Sequence, residues 1–394
     1  MLIHVRIRVM LFALAALCAL VIADVSASPQ KAEAPATFTP LFSGTDTAGW
    51  HSVGPDGSAA SAGAIDRHWS VSGGELVTDG FGSPVASDRQ IADIELKLEY
   101  KTGTAGTTDV FIRGGQIPID QQGRAADAKW HTLRVVQVGE VVSVFVDGAR
   151  RVDHERVAGL MGPGPLPRTG SVALRGRGDE VRFRRVEYRE VSAGEALQFL
   201  HDRERGTFKR LFDGKSLDGW KGAVDQYEVA DGAIRCKAGS GGNLFTKDEY
   251  SDFTVRFEFK VPPGGNNGLA IRYPGEGDTA YVGMCELQVL DDSDPKYATL
   301  DARQYHGSVY GMVAAHRGYQ RPVGEWNFEQ VTVHGSRITV ELNGTVITDA
   351  DVSTVTEFLD NKAHPGKDRT RGYFGFAGHN DPVEFRAVEI REDK

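Results

Sequence analysis

Between Gly283 and Asp291 the chain reads GMCELQVLD, and acid–base chemistry can be written on these residues. As a strand, its side chains alternate between two faces. Cys285, Leu287 and Val289 make an apolar face, and Glu286 and Gln288 point the other way. A carboxylate there can take a proton, and a second acid close by can return one. Asp291 is a candidate for that second acid. Leu290 breaks the alternation, and a bulge at this point would turn Asp291 onto the face of Glu286 and Gln288. The competing expectation is a solvated strand face running into an Asp-rich turn, Asp291-Asp292-Ser293-Asp294-Pro295.

An internal repeat supplies the elements that must hold this strand. Leu41-Phe42-Ser43-Gly44 with Gly49-Trp50 returns as Leu211-Phe212-Asp213-Gly214 with Gly219-Trp220. Asp93 to Tyr100 returns as Asp252 to Phe259, Ile112-Arg113 as Ile271-Arg272, and Asp179 to Arg184 as Asp381 to Arg386. Each copy is a series of short alternating strands. Asp147-Gly148 and Asn343-Gly344 end two of them and predict tight type I′ hairpins. Helical periodicity is confined to Ser192–Arg205, where Ser192 and Glu195 resemble a capping box. The expected organisation is a signal peptide (1–27), a linker (28–37), a β-sandwich (38–190), a helical connector (191–207) and a second β-sandwich (208–394). The fold class is all-β, and either copy is long enough to bury a core.

His4, Arg6 and Arg8 precede an apolar run from Val9 to Ala23 and a small-residue site at Val25-Ser26-Ala27, the pattern of a secretory signal. The run is shorter than the roughly 20 residues a membrane-spanning helix needs, so a periplasmic or secreted protein without a membrane span is expected. A net charge of −9 with no basic stripe argues against a nucleic-acid partner. Cys236 and Cys285 are expected as buried free thiols, with one disulfide as the second reading. Cys/His zinc spacing is absent.

Leu211 to Trp220, Phe245-Thr246-Lys247, Asn267-Gly268 with Ile271-Arg272, the Glu286-x-Gln288-x-x-Asp291 stretch, Gly307 to Gly311, Gly324 to Asn327 and Gly378 to Arg386 together resemble the 3-keto-disaccharide hydrolase family. The resemblance covers 208–394, and residues 38–190 resemble the same family more weakly, as a degenerate copy. It implies two tandem concanavalin-like jelly-roll β-sandwiches. It also implies action on 3-keto-glycosides, sugars already oxidised at C3 by a separate glycoside 3-oxidoreductase. From Arg113 to Trp130 the first copy spends 17 positions (130 − 113), and from Arg272 to Trp326 the second spends 54 (326 − 272). The extra length, rich in polar and aromatic residues, is where function is expected.

A ketone at C3 acidifies the C2 proton, so a base can remove it while the C1 substituent leaves, and water then adds back. Glu286 is the candidate base, with Asp291 or His379 as acid. Arg272 would polarise the ketone, Gln288 would orient a hydroxyl, and His306 and Tyr310 would bind substrate. A bound divalent cation held by Glu, Asp and His is the alternative electrophile. Arg272 has a bland counterpart in a cross-strand pair with Glu258, since Arg113 and Glu99 repeat that pattern. Two rival functions are carried. The first is a retaining glucanase, since Glu286-x-Gln288-x-x-Asp291 is similar in spacing to Glu-x-Asp-x-x-Glu. The second is a non-catalytic, lectin-like glycan-binding protein.

Overall fold

Alternating apolar and polar residues put every second side chain against a core only in a sheet, and strands dominate the described residues, some of them, such as Cys285–Leu290, buried on both faces. The computed structural model describes residues 37–54, 65–119, 127–157, 159 and 164–393. The signal segment and the Asp120-Gln121-Gln122 stretch lie outside the described residues. Four antiparallel sheets form two sandwiches, each pairing an 8-stranded with a 5-stranded sheet. In the first, the smaller sheet runs Trp50–Ser52, Val85–Ser87, Val172–Arg177, Thr107–Ile112, Gly115–Ile117. In the second it runs Trp220–Gly222, Gly241–Tyr250, Gly372–His379, Asn266–Tyr273, Cys285–Leu290. The order of strands along the chain is the same in both, and the larger sheets correspond in the same way.

Each sandwich has its own core. Leu76, Leu96, Val110, Val172 and Phe183 lie in the first, and Phe257, Phe259, Leu287, Phe376 and Phe385 in the second. Phe376 stacks on Phe385 with centroids 3.9 Å apart, tying the two sheets of the second sandwich face to face. Both hairpins close with two residues at positive φ, Asp147 (50°) with Gly148 (76°) and Asn343 (49°) with Gly344 (81°), as type I′ turns require. Cys236 and Cys285 are free and buried.

Phe38–Lys394 forms one compact unit, and the reason is local. Helix Ala193–Asp202, opened by the Ser192/Glu195 capping box, lays Ala196, Leu197 and Leu200 against Val138 and Val141 of the first sandwich and Phe328 of the second. Beside it the Val138–Val141 turn meets the Asn343–Gly344 hairpin, and Glu140 N–H donates to Gly344 O at 2.8 Å. A side chain on Gly139 would strike the Asn343 carbonyl, so glycine is needed for this approach. Arg113, 4% exposed, donates to Gly139 O and to Arg168 O on the same side of the junction. Leu200 is fully buried at the centre of this junction. Leu200→Ala is expected to cost about 2–4 kcal/mol and to shift unfolding of both sandwiches together, measured by denaturant titration with probes in each half.

Candidate active site on the smaller sheet of the second sandwich

The outward face of this sheet is built from rows of side chains in register. One row runs Glu286, Ala270, Gly375, Phe245, Lys221, and the next runs Gln288, Gly268, Ala377, Asn243. Segment 307–310 lies along the free edge of Cys285–Leu290. Leu287 bridges Val309, and Tyr310 N–H donates to Glu286 O at 2.9 Å. Tyr310 therefore stands directly across from Glu286 on the same face. At the centre, Gly268, Ala270, Gly375 and Ala377 leave a floor with nothing beyond Cβ.

That floor decides where Glu286 goes. A Cβ on Gly268 would collide with its carboxyl, so the carboxylate lies across the glycine instead of standing up from the sheet. Lying there it accepts from Thr279 Oγ1 and comes 3.5 Å from Nε2 of His379, which belongs to the strand beyond. Glu286 is 4% exposed, whereas the His379 side chain is 46% exposed. The Glu286 carboxylate beside it raises the pKa of His379 above the ordinary histidine value despite an opposing contribution from burial. The site thus pairs a sheltered carboxylate with a half-exposed imidazole whose protonated form it favours.

Thr279 opens the short turn Thr279–Val282, capped by Asp278. His364 Nδ1 donates to Ala280 O at 2.8 Å and fixes this turn from the far side. Burial pushes the pKa of His364 down, and Nδ1 carries a hydrogen because the Ala280 carbonyl it meets can only accept. Lys362 caps the ring of Tyr281 at 3.4 Å, and Phe245, Tyr273 and Tyr373 form an aromatic patch on the same face. Thr279, His364 and Gln304, which holds Tyr310, had no signal in the sequence. Asp278-Thr279 read as a helix cap would have been the nearest.

The remaining sequence-derived candidates are placed elsewhere. No bulge forms at Leu290: pairing with Asn266–Ile271 is unbroken through Leu290. Asp291 consequently stays off the face of Glu286, and its carboxylate accepts from Gly264 N–H at 2.8 Å and from the Ser293 hydroxyl at 2.5 Å. Burial opposes its charge, but these hydrogen bonds win and lower its pKa, the opposite of what a proton donor needs. Arg272, 1% exposed, sits below the sheet and donates to Ser251, Gly335 and Arg369 carbonyls and to Asp252. Its ion-pair partner is Asp252, while Glu258 pairs with Arg386 and His201. Gln288 remains on the active face, its amide donating to Asn266 Oδ1 at 2.6 Å. Among the described residues no three His, Cys, Asp or Glu side chains converge, so a divalent cation has no ready ligand set there.

His306 is a core residue. Its Nε2 is 3.1 Å from Glu329 Oε2, with both side chains at most 1% exposed, and its ring stacks on Phe259 at 4.9 Å. The strand position equivalent to Glu329 in the first sandwich is Leu133, since Phe257 pairs Glu329 as Leu98 pairs Leu133. The pair anchors the long insertion to the larger sheet. His306→Leu alone leaves the buried Glu329 carboxyl without its neighbour and is expected to cost about 3–5 kcal/mol. The double variant His306→Leu/Glu329→Leu should recover most of it, read by chemical denaturation.

The Glu286–His379 contact makes a second expectation. In Glu286→Gln the His379 pKa should fall back toward 6.5, followed by imidazole NMR. Because the folded-state pKa is the raised one, the stabilisation from this contact is complete below about pH 6.5 and is lost as pH rises through the folded pKa. The stability difference between wild type and Glu286→Gln should therefore shrink on the alkaline side. A difference that does not change with pH would rule the contact out.

A family model described as the 3-keto-alpha-glucoside-1,2-lyase-like domain matches residues 207–391. A 3-keto-disaccharide hydrolase of Bacteroides thetaiotaomicron is 25% identical over 222 residues, 46% of this chain and 77% of that protein. A crystal structure of a candidate glycosyl hydrolase from Parabacteroides distasonis is 27% identical with a TM-score of 0.43, covering 47% of this chain and 99% of that one. A carbohydrate binding module from Bacillus subtilis is 14% identical with a TM-score of 0.31, covering 44% of this chain and 96% of that one. Residues 207–391, the second sandwich, thus carry this chain's similarity to the 3-keto-alpha-glucoside-1,2-lyase-like domain family.

Proposed function

We propose that the second sandwich is a hydrolase of 3-keto-glycosides, 3-keto-disaccharides among them, working by elimination and hydration on the face around Glu286. The observation that carries this reading is the Glu286–His379 pair lying over Gly268, within a domain whose relative is named a 3-keto-disaccharide hydrolase. Glu286 takes the C2 proton, and the electron pair moves onto the C3 carbonyl oxygen as an enolate. The enolate expels the C1 substituent, leaving an enone, while His379 gives its proton to the departing oxygen. Water then attacks C1, losing its proton to neutral His379, and Glu286 returns a proton to C2. The sum is hydrolysis, with both residues restored. Tyr310, across from Glu286, supplies a hydrogen bond to the enolate oxygen. The substrate's ketone must be installed beforehand by an oxidoreductase acting at C3.

A retaining glucanase needs two carboxyl groups about 5–5.5 Å apart, and folding Asp291 into its own turn removes the second one from this face. The first sandwich is read as a degenerate, non-catalytic copy. Where the second has Gly268, Ala377, His379 and Glu286, the first has Asp109, Arg175, Arg177 and Gln116 at the matching positions. Arg175 at 2.6 Å, Arg177 at 3.5 Å and the Gln116 amide at 2.8 Å all reach Asp109, so the carboxylate on this face is already engaged. Export to the periplasm or medium is part of the same reading and rests on residues 1–27.

The test is release of a chromogenic aglycone from a glucoside and from its 3-keto form, with and without chelator. Turnover is expected only on the keto form, falling at least about 10²-fold in Glu286→Gln. Cleavage of the unoxidised glucoside would instead make this a conventional glycosidase, and glycan binding with no turnover on either would make it a lectin.

A further inference from the structure

We infer that Gln304 is a positioning residue that fixes which way the Tyr310 hydroxyl points its proton, making Tyr310 a dedicated donor toward the substrate. The inference rests on the proposed function for what the donor meets, but its geometry stands on its own. Gln304 ends the turn Ala302–Gln304 and closes a capping box with Asp301. Its Oε1 accepts from Asp301 N–H at 3.1 Å. A backbone N–H can only donate, so this contact settles the amide's orientation and leaves the NH2 group on the other side. There Nε2 donates to Tyr310 Oη at 3.0 Å. Among the described residues, Gln304 is the hydrogen-bond partner of that hydroxyl. With its lone pair engaged, the phenol must direct its own hydrogen elsewhere, and Tyr310 faces the side of the sheet on which Glu286 lies.

The turn carrying Gln304 is fastened on both sides, so this direction is held before substrate arrives. Arg303 grips Asp301 through two nitrogens at 2.8 and 3.0 Å. Gly311 N–H donates to Arg303 O at 3.0 Å, and Ser308 Oγ to Ala302 O at 3.2 Å. The residues flanking Tyr310 are thereby locked to the turn that orients it. Partial burial raises the Tyr310 pKa, so the proton is present throughout the working range. A hydroxyl held in one direction costs no reorganisation when charge develops on the ketone oxygen.

Gln304→Glu separates this role from a structural one. Glutamate keeps the capping-box acceptor for Asp301 N–H, where it is as good as glutamine, but presents Tyr310 with a carboxylate. The phenol would then turn its proton inward. Gln304→Leu removes the cap and the amide together and leaves the hydroxyl free to rotate. On a 3-keto-glucoside, kcat of Gln304→Glu is expected to fall about 10²-fold, as far as in Tyr310→Phe. Gln304→Leu should lose only a few-fold in kcat while losing more thermal stability than Gln304→Glu. The double variant Gln304→Glu/Tyr310→Phe should be no worse than Tyr310→Phe. A purely structural Gln304 gives the reverse order, with Leu the more damaging, and that order would overturn the inference. So would a double variant slower than Tyr310→Phe, which would mark simple charge repulsion on Glu286. If the wild type proves inactive on the keto sugar, the substrate reading falls, and the tyrosine 13Cζ titration of each variant still decides the orientation. The Tyr310 signal should titrate at higher pH in Gln304→Glu than in wild type, and no shift would refute the contact.

Discussion

A carboxylate can lie flat on a β-sheet only where the neighbouring strand offers no side chain, and the candidate site depends on that single condition. Gly268 provides it. A side chain there would collide with the Glu286 carboxyl where it lies between Thr279 and His379. The small residues around it extend the same logic. Ala270, Gly375 and Ala377 keep the central strands bare, so that groups from the edges can meet over them. The first sandwich has the same strand order and lacks the condition. Asp109 and Arg175 occupy the bare positions, and the carboxylate on that face is already engaged.

Charged residues do two kinds of work in this molecule, and burial separates them. Arg272, Arg113 and the His306–Glu329 pair lie below the sheets or at the sandwich junction and spend their charge on carbonyls or on each other. Removing one member leaves the other uncompensated in a medium of low polarisability. Glu286 and His379 are coupled as well, but His379 is half-exposed, so its proton can exchange with solvent or substrate. The same residue types thus act as scaffold or as reagent according to whether water reaches them.

The fold was legible because it rests on periodicity and turn chemistry. Alternation in Val141–Val146 and Arg337–Leu342, and the Asp-Gly and Asn-Gly pairs after them, specify hairpins locally. Glu286 and Gln288 were placed on a common face by the same rule. Asp291 was misplaced because a bulge was expected where an apolar pair merely marks a strand going fully buried: Leu290 is 1% exposed, covered by the long insertion. His306 is expected from the sequence to bind substrate, whereas it is buried against Glu329, on a strand where alternation gives no hint that a carboxylate faces the core. Arg272 was linked to Glu258 by sequence offset, whereas its position at the strand end, with φ of 47°, swings it under the sheet to Asp252. Contacts between loops, such as Gln304 with Tyr310 or His364 with Ala280, leave no periodic trace.

The junction at Gly139 bears on what counts as a domain in this chain. The repeat draws a boundary near the connector helix, and by sequence the second copy is a self-contained module. Yet Phe328, a residue of the second sandwich, is covered by the helix and by Val138 and Val141 from the first. The Asn343–Gly344 hairpin likewise has a neighbour's backbone as its ceiling. A module cut out at the repeat boundary would carry an apolar scar where its twin had been. The two sandwiches share one strand order, and the compact unit spans them both.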